Sequence, residues 1–205
     1  MLVRIATLRI CVVALFLVSI ISLSLSCKAD SGGITEFTEP TIDGLIGEGE
    51  YARSKSMGPL GGLFTGYKIY WSKDESFIYM ALKVKAEGWV SVAFQPEAGD
   101  IKKDVDFILG YVENGETFVF DLFSEKPEGP HRFDEALGGT NDIIEYAGTE
   151  ADGYTIIEFK RALNTGDPYD NIITPGSVNI MWSYSTSDSL LDAHESHRGY
   201  STIDF

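Results

Sequence analysis

Ten short runs rich in β-branched and aromatic residues, each closed off by Gly, Pro, Asn or Asp, follow one another along this chain at intervals of about ten residues. They are Ala52–Ser56, Tyr67–Ser72, Phe77–Val84, Gly88–Phe94, Val105–Val112, Glu116–Phe123, Ile143–Gly148, Tyr154–Lys160, Val178–Tyr184 and Tyr200–Phe205. The rhythm predicts an all-β fold, an immunoglobulin-like β-sandwich of about 10 mostly antiparallel strands. Three connections, Lys73-Asp74-Glu75, Glu113-Asn114-Gly115 and Ala151-Asp152-Gly153, carry hairpin chemistry, with Asn-Gly or Asp-Gly at the tip of the last two. In Phe77–Val84 the alternation directs Ile78, Met80, Leu82 and Val84 to one face. In Tyr154–Phe159 either Ile157 with Phe159 or Ile156 with its neighbours faces inward, and the pattern leaves the register open. No helical period is sustained after the leader.

The first 26 residues differ from the rest: Arg4 and Arg9 precede the apolar run Ile10–Ile21, and small residues follow up to Ser26. That order predicts a secretory signal over 1–26; the other reading is a membrane-anchoring helix, since Ile5–Leu25 nearly suffices to span. Cys27 after Leu23-Ser24-Leu25-Ser26 resembles a bacterial lipoprotein cleavage site, apart from Ser24 where Leu is usual. Acylated, it would tether the protein to a membrane face by lipid alone. Ordinary cleavage near Ala29, with a freely secreted product, is the alternative. Residues 27–40 then read as a polar tether and 41–205 as one domain, located in the cell envelope or extracellular space.

The two cysteines are Cys11 and Cys27, so the domain has no internal disulfide to lean on and no Cys-x-x-Cys-His run for covalent haem attachment. Its stability must come from a core. The net charge of −15 becomes more negative once Arg4 and Arg9 are removed, and a surface that acidic repels phosphate backbones. Nucleic acid is therefore excluded as a partner class.

Function is expected where rigid strands carry long loops. One such loop, Gln95–Asp104, joins the apolar runs at Gly88 and Val105; another is Ser124–Asn141, with His131 facing either a cavity or solvent; a third is Ser185–His197.

Taken together, Ile42-Asp43-Gly44 with Glu50-Tyr51, Tyr70-Trp71-Ser72, Gly88–Phe94, Asp104–Gly110, and His194 followed by Arg198-Gly199 resemble a DOMON domain of bacterial or archaeal secreted or lipoprotein type. It is similar to the amino-terminal domain of dopamine β-monooxygenase and to the cytochrome domain of cellobiose dehydrogenase. The resemblance implies a sandwich that in many relatives encloses haem b, held by a loop Met and a late His. Others of the family bind sugars, and fold alone does not choose between them. His194 stands where the late His is expected. Lys102 stands where the Met would be, and an amine ligates iron only in its neutral form. With Trp89, His131 and Arg198, these two make up the cofactor-contacting set that the resemblance implies.

The remaining motifs are weak. His194-Glu195-Ser196-His197 does not have zinc spacing, no nucleophile elbow or nucleotide loop occurs, and pairs such as Asp104 with Asp106 or Asp188 with Asp192 are expected by chance among 31 acidic residues. Asp106, opening an apolar strand, is expected to anchor loop backbone. The reading is a non-enzymatic electron-transfer domain with a haem and a redox protein partner; the alternative is a haem-free carbohydrate- or small-ligand-binding module.

Overall fold

The computed structural model describes residues 37–58, 66–95, 98, 102–127, 130–194 and 197–205. The leader, Cys27 and most of the stretch read as a tether lie outside the described residues.

The strands are β1 Arg53–Met57, β2 Tyr67–Lys73, β3 Phe77–Val84, β4 Val90–Gln95, β5 Val105–Glu113, β6 Glu116–Ser124, β7 Arg132–Phe133, β8 Ile143–Ala151, β9 Tyr154–Ala162, β10 Ser177–Tyr184 and β11 Arg198–Asp204. One helical turn, α1, covers Asp134–Leu137. A five-stranded sheet in the order β1-β2-β3-β9-β8 faces a six-stranded sheet in the order β11-β10-β4-β5-β6-β7, with every pairing antiparallel. The eleventh strand, β7, is two residues long and too short to leave a pattern in the sequence.

Local chemistry sets the hairpins. Asn114 and Gly115 (φ 54° and 80°) and Asp152 and Gly153 (φ 54° and 75°) take the left-handed backbone that a two-residue hairpin needs. At the β2–β3 turn the Asp74 carboxylate accepts the Ser76 and Phe77 N–H groups, each at 2.7 Å.

Alternation then sorts the side chains. Ile78, Met80, Leu82 and Val84 of β3 meet Val90, Val92, Phe94, Ile108 and Trp182 of the other sheet in the main core. In β9 the inward phase is Ile157 and Phe159, and Arg161 continues it, fully buried.

Each sheet also has a covered outer face. Tyr79 and Ala81 on the outside of the five-stranded sheet pack under Ile42, Ile46 and Tyr51. Glu158 holds this cover down: its carboxylate accepts Gly44 N at 2.7 Å, Asp43 N at 3.1 Å and the Tyr51 hydroxyl at 2.7 Å. Gly44 has φ 83°, and a Cβ there would lie 2.9 Å from the Gly148 carbonyl carbon, which explains a glycine in Ile42-Asp43-Gly44. Residues before 41 pack on this face as well. Phe37 packs on Tyr79 with centroids 5.7 Å apart, and Glu39 pairs with Lys160 at 2.6 Å.

Candidate functional site

The outer face of the six-stranded sheet is apolar as well, with Ala93, Val105, Phe107, Leu122 and Met181 forming a second cluster that Leu109 and Phe120 extend. The ladders align Ser183, Ser91, Leu109 and Phe120 in one row, and Met181, Ala93, Phe107, Leu122 and Phe133 in the next. Residues paired across strands share a face. The small side chains of Ser183, Ser91 and Ala93 beside the large ones of β5 and β6 therefore leave a step in the floor.

Two loops rise around that step. Pro130, His131 and Phe133 stand on one side, Leu190 to His194 on the other, and Trp89 at the corner, enclosing about 480 Å³. That is the size of a small-molecule or cofactor site, and the lining is mostly aromatic and aliphatic.

The second loop is clipped to the start of β4. Trp89 N donates to Ser187 O at 3.2 Å, Ser185 N to Trp89 O at 2.9 Å, and the Trp89 indole N–H to Asp192 O at 3.3 Å. Gly88 permits this approach, because a Cβ would lie 2.4 Å from Ser187 N.

His194 is half-buried in the wall, edge-on to Trp89 at 6.5 Å. The His131 ring packs on Phe107 with centroids 4.1 Å apart. His131 is exposed on its outer side, while the apolar side chains packed on its ring, and after them the charges of Lys102 and His194, push its pKa down to about 4. Both imidazoles thus line one cavity and sense each other.

Of the other residues singled out by sequence, Trp89 lines the same cavity and the rest lie outside its wall. Lys102 is half-buried beside the cavity and outside its wall, although its charge reaches His131. Arg198 opens β11 opposite Ser183, exposed at the rim of the same face. His197 turns away and stacks on Tyr184 at 4.6 Å. Glu195 and Ser196, and with them the test of a zinc motif, lie outside the described residues.

The floor residues Ser91, Phe107, Leu109, Phe120 and Leu122 are absent from the sequence-derived set. A signal was present, because β5 and β6 carry large apolar residues on both phases of the alternation, which requires a cover on both faces.

Residues 65–185 match the model of the DOMON domain family, more than half of the chain. The chain belongs to the DOMON family. His194 lies beyond the matched stretch. Among curated proteins, this DOMON domain is 30% identical over 140 residues to human DBH-like monooxygenase protein 1, covering 67% of this chain and 22% of the relative. It is 24% identical over 173 residues to MOXD1 homolog 1 of Drosophila melanogaster, covering 78% and 23%. The chain thus spans about a fifth of the length of these relatives, which are eukaryotic and lend no support to a bacterial or archaeal origin.

Two solved structures share the DOMON fold at low identity. The cytochrome domain of Myriococcum thermophilum cellobiose dehydrogenase superposes with TM-score 0.52 and 10% identity, over 74% of this chain and 81% of that one. The cytochrome b domain of Coprinopsis cinerea pyranose dehydrogenase does so with TM-score 0.50 and 11% identity, over 68% and 77%.

Proposed function

We propose that this DOMON domain holds a b-type haem in the cavity on its six-stranded sheet and exchanges single electrons with a redox partner. One observation carries the reading: two imidazoles, His131 and His194, line a single apolar cavity of about 480 Å³. The donor set fits the group, because neutral imidazole nitrogens are axial ligands for haem iron and an aromatic and aliphatic wall suits a macrocycle. The structural likeness to two domains described as cytochromes supports it.

When bound, haem supplies a one-electron couple, and the chain's part is to hold, orient and tune it. His194 and His131 are the proposed ligands, so the Met of the family pattern is replaced by His131 and not by Lys102, which lies outside the wall. The low pKa of His131 keeps its ring neutral and ready to ligate at neutral pH. Trp89, Phe107, Leu109 and Leu122 exclude water. Leu191, 95% exposed at the rim, gains an apolar neighbour once the cavity fills. A sugar is the poorer occupant, since this wall offers few polar groups to match its hydroxyls.

The leader read over 1–26 supports a location in the cell envelope or outside the cell, and Cys27 is the proposed lipid anchor. Fatty-acid labelling that disappears in Cys27→Ala tests the anchor. For the haem, protein from a haem-sufficient host, or reconstituted with haemin, is expected to show a Soret band that shifts in His194→Ala and in His131→Ala and stays unchanged in His197→Ala. A colourless reconstituted protein overturns the proposal.

A further inference from the structure

The cavity face does not stop at the cavity. The β5–β6 ladder sets three pairs on it in succession: Leu109 with Phe120 in the floor, Tyr111 with Phe118 beyond it, and Glu113 with Glu116 beside the hairpin tip. The half-buried rings of Tyr111 and Phe118 stack with centroids 5.0 Å apart, and Tyr111 lies 6.0 Å from Phe120. Phe120 in turn meets Phe133 of the wall edge-on at 5.3 Å. A strip of rings thus runs out of the cavity and ends on two exposed glutamates placed directly opposite each other.

Like charges facing each other across a ladder are destabilising, and further acids gather around this pair. Asp188, from the loop that carries Leu190 and Leu191 of the cavity wall, has its pKa raised by burial and then by the charges of Glu150 and Glu113. Burial, and after it the charges of Glu113 and Asp188, raise that of Tyr111. Lys102, Lys103 and Lys126 flank the other end of the hairpin, where Val105 pairs with Ser124. The border of the strip is therefore acidic at the tip, with these lysines kept to the far end. Leu190 and Leu191, 41% and 95% exposed, add aliphatic surface at the rim.

An exposed apolar patch with a charged border has the anatomy of a protein interface. The acids decide what covers it. A second copy of a chain with net charge −15, or an anionic lipid surface, is repelled, and a neutral glycan gives the paired glutamates no role. We propose that the strip from Leu191 across Tyr111 and Phe118 to Glu113 and Glu116 docks a basic redox protein that exchanges one electron with the group in the cavity. No atom is transferred: one side loses the electron that the other gains. The inference rests on the haem reading for the electron and on this surface alone for the docking.

The probe is cytochrome c, a lysine-rich one-electron protein, compared with the same protein after succinylation of its lysines. Reduced, haem-loaded domain is mixed with each ferric form by stopped flow. For the native form we expect a second-order rate that falls at least fivefold from about 10 mM to about 300 mM salt. The succinylated form is expected to react more slowly at low salt, without that fall. The double variant Glu113→Gln with Glu116→Gln is expected to lose at least threefold of the low-salt rate with an unchanged Soret band, whereas Glu75→Gln, an exposed acid on the β2–β3 turn, changes neither. A rate indifferent to salt, or a double variant that behaves like Glu75→Gln, overturns the proposal. Amide shifts in the haem-free protein separate this failure from that of the haem reading. Native cytochrome c is expected to shift residues 111–118 and 188–191 even where no haem is taken up, and shifts that spare both segments overturn the docking surface.

Discussion

The ring of His131 lies 4.1 Å from that of Phe107, centroid to centroid, and this contact places an imidazole in an apolar wall. Loss of water on the side of the ring that packs on Phe107 favours the neutral form, which lowers the pKa from 6.5 to about 4. Between those values the unfolded chain binds more protons than the folded one, so the His131 contribution to stability is complete above pH 6.5 and is lost as pH falls through 4. An NMR titration of the haem-free protein is expected to give His131 a midpoint well below that of an exposed histidine, and Phe107→Ala is expected to raise it. A midpoint near 6.5 in the unaltered protein contradicts the packing described here.

Ser91 tests the cavity from its floor. It sits in the floor between Ser183 and Leu109, where the ladder places a small side chain beneath open space. Ser91→Phe projects a ring into that space and, because Ser91 is only 3% exposed, is expected to cost about 1–3 kcal/mol. Haem uptake is expected to fall at least tenfold. Uptake that survives the substitution places the ligand elsewhere.

Glu158 ties the amino-terminal cover to the sheet. Glu158→Ala leaves Asp43 N, Gly44 N and the Tyr51 hydroxyl without their shared acceptor. The expected loss is about 2–4 kcal/mol by urea denaturation, with faster amide exchange confined to residues 42–51. Glu158→Gln retains one acceptor oxygen and is expected to lose less.

How much of this was legible in the sequence follows from what is local. The hairpins at Asn114-Gly115 and Asp152-Gly153 and the inward set Ile78, Met80, Leu82 and Val84 rest on neighbours in the chain, and they read directly. Asp106 holds loop backbone as expected of it, accepting Asn171 N at 3.1 Å. The order of strands in the sheets joins β3 to β9 and β4 to β10, pairings between distant segments that no local pattern encodes. The site divides in the same way. His194 was reached through family resemblance, whereas the buried acids Asp106 and Asp121 of the β5–β6 hairpin meet Asp170 and Arg161 from a distant part of the chain. One clue to it lay in β9: once Ile157 and Phe159 face inward, the two-residue period carries Arg161 inward as well, and a buried arginine demands acidic partners.

Arg161 provides the last prediction because its removal separates charge from shape. The guanidinium is fully buried and donates to Asp106 at 2.6 Å and to Asn171 O at 3.2 Å. Arg161→Met keeps much of the side-chain volume but strands Asp106, Asp121 and Asp170 as uncompensated buried acids, a change expected to cost about 3–5 kcal/mol at neutral pH. The sign of the pH dependence follows from burial, which raises all three carboxyl pKa values, that of Asp170 to about 6. Acidification protonates the stranded carboxyls and removes the cost. The gap in stability between variant and parent, measured by urea denaturation, should therefore narrow from pH 8 to pH 5. A gap that stays constant across that range would mean that Arg161 acts through packing alone and that the acids around it are not charged in the folded protein.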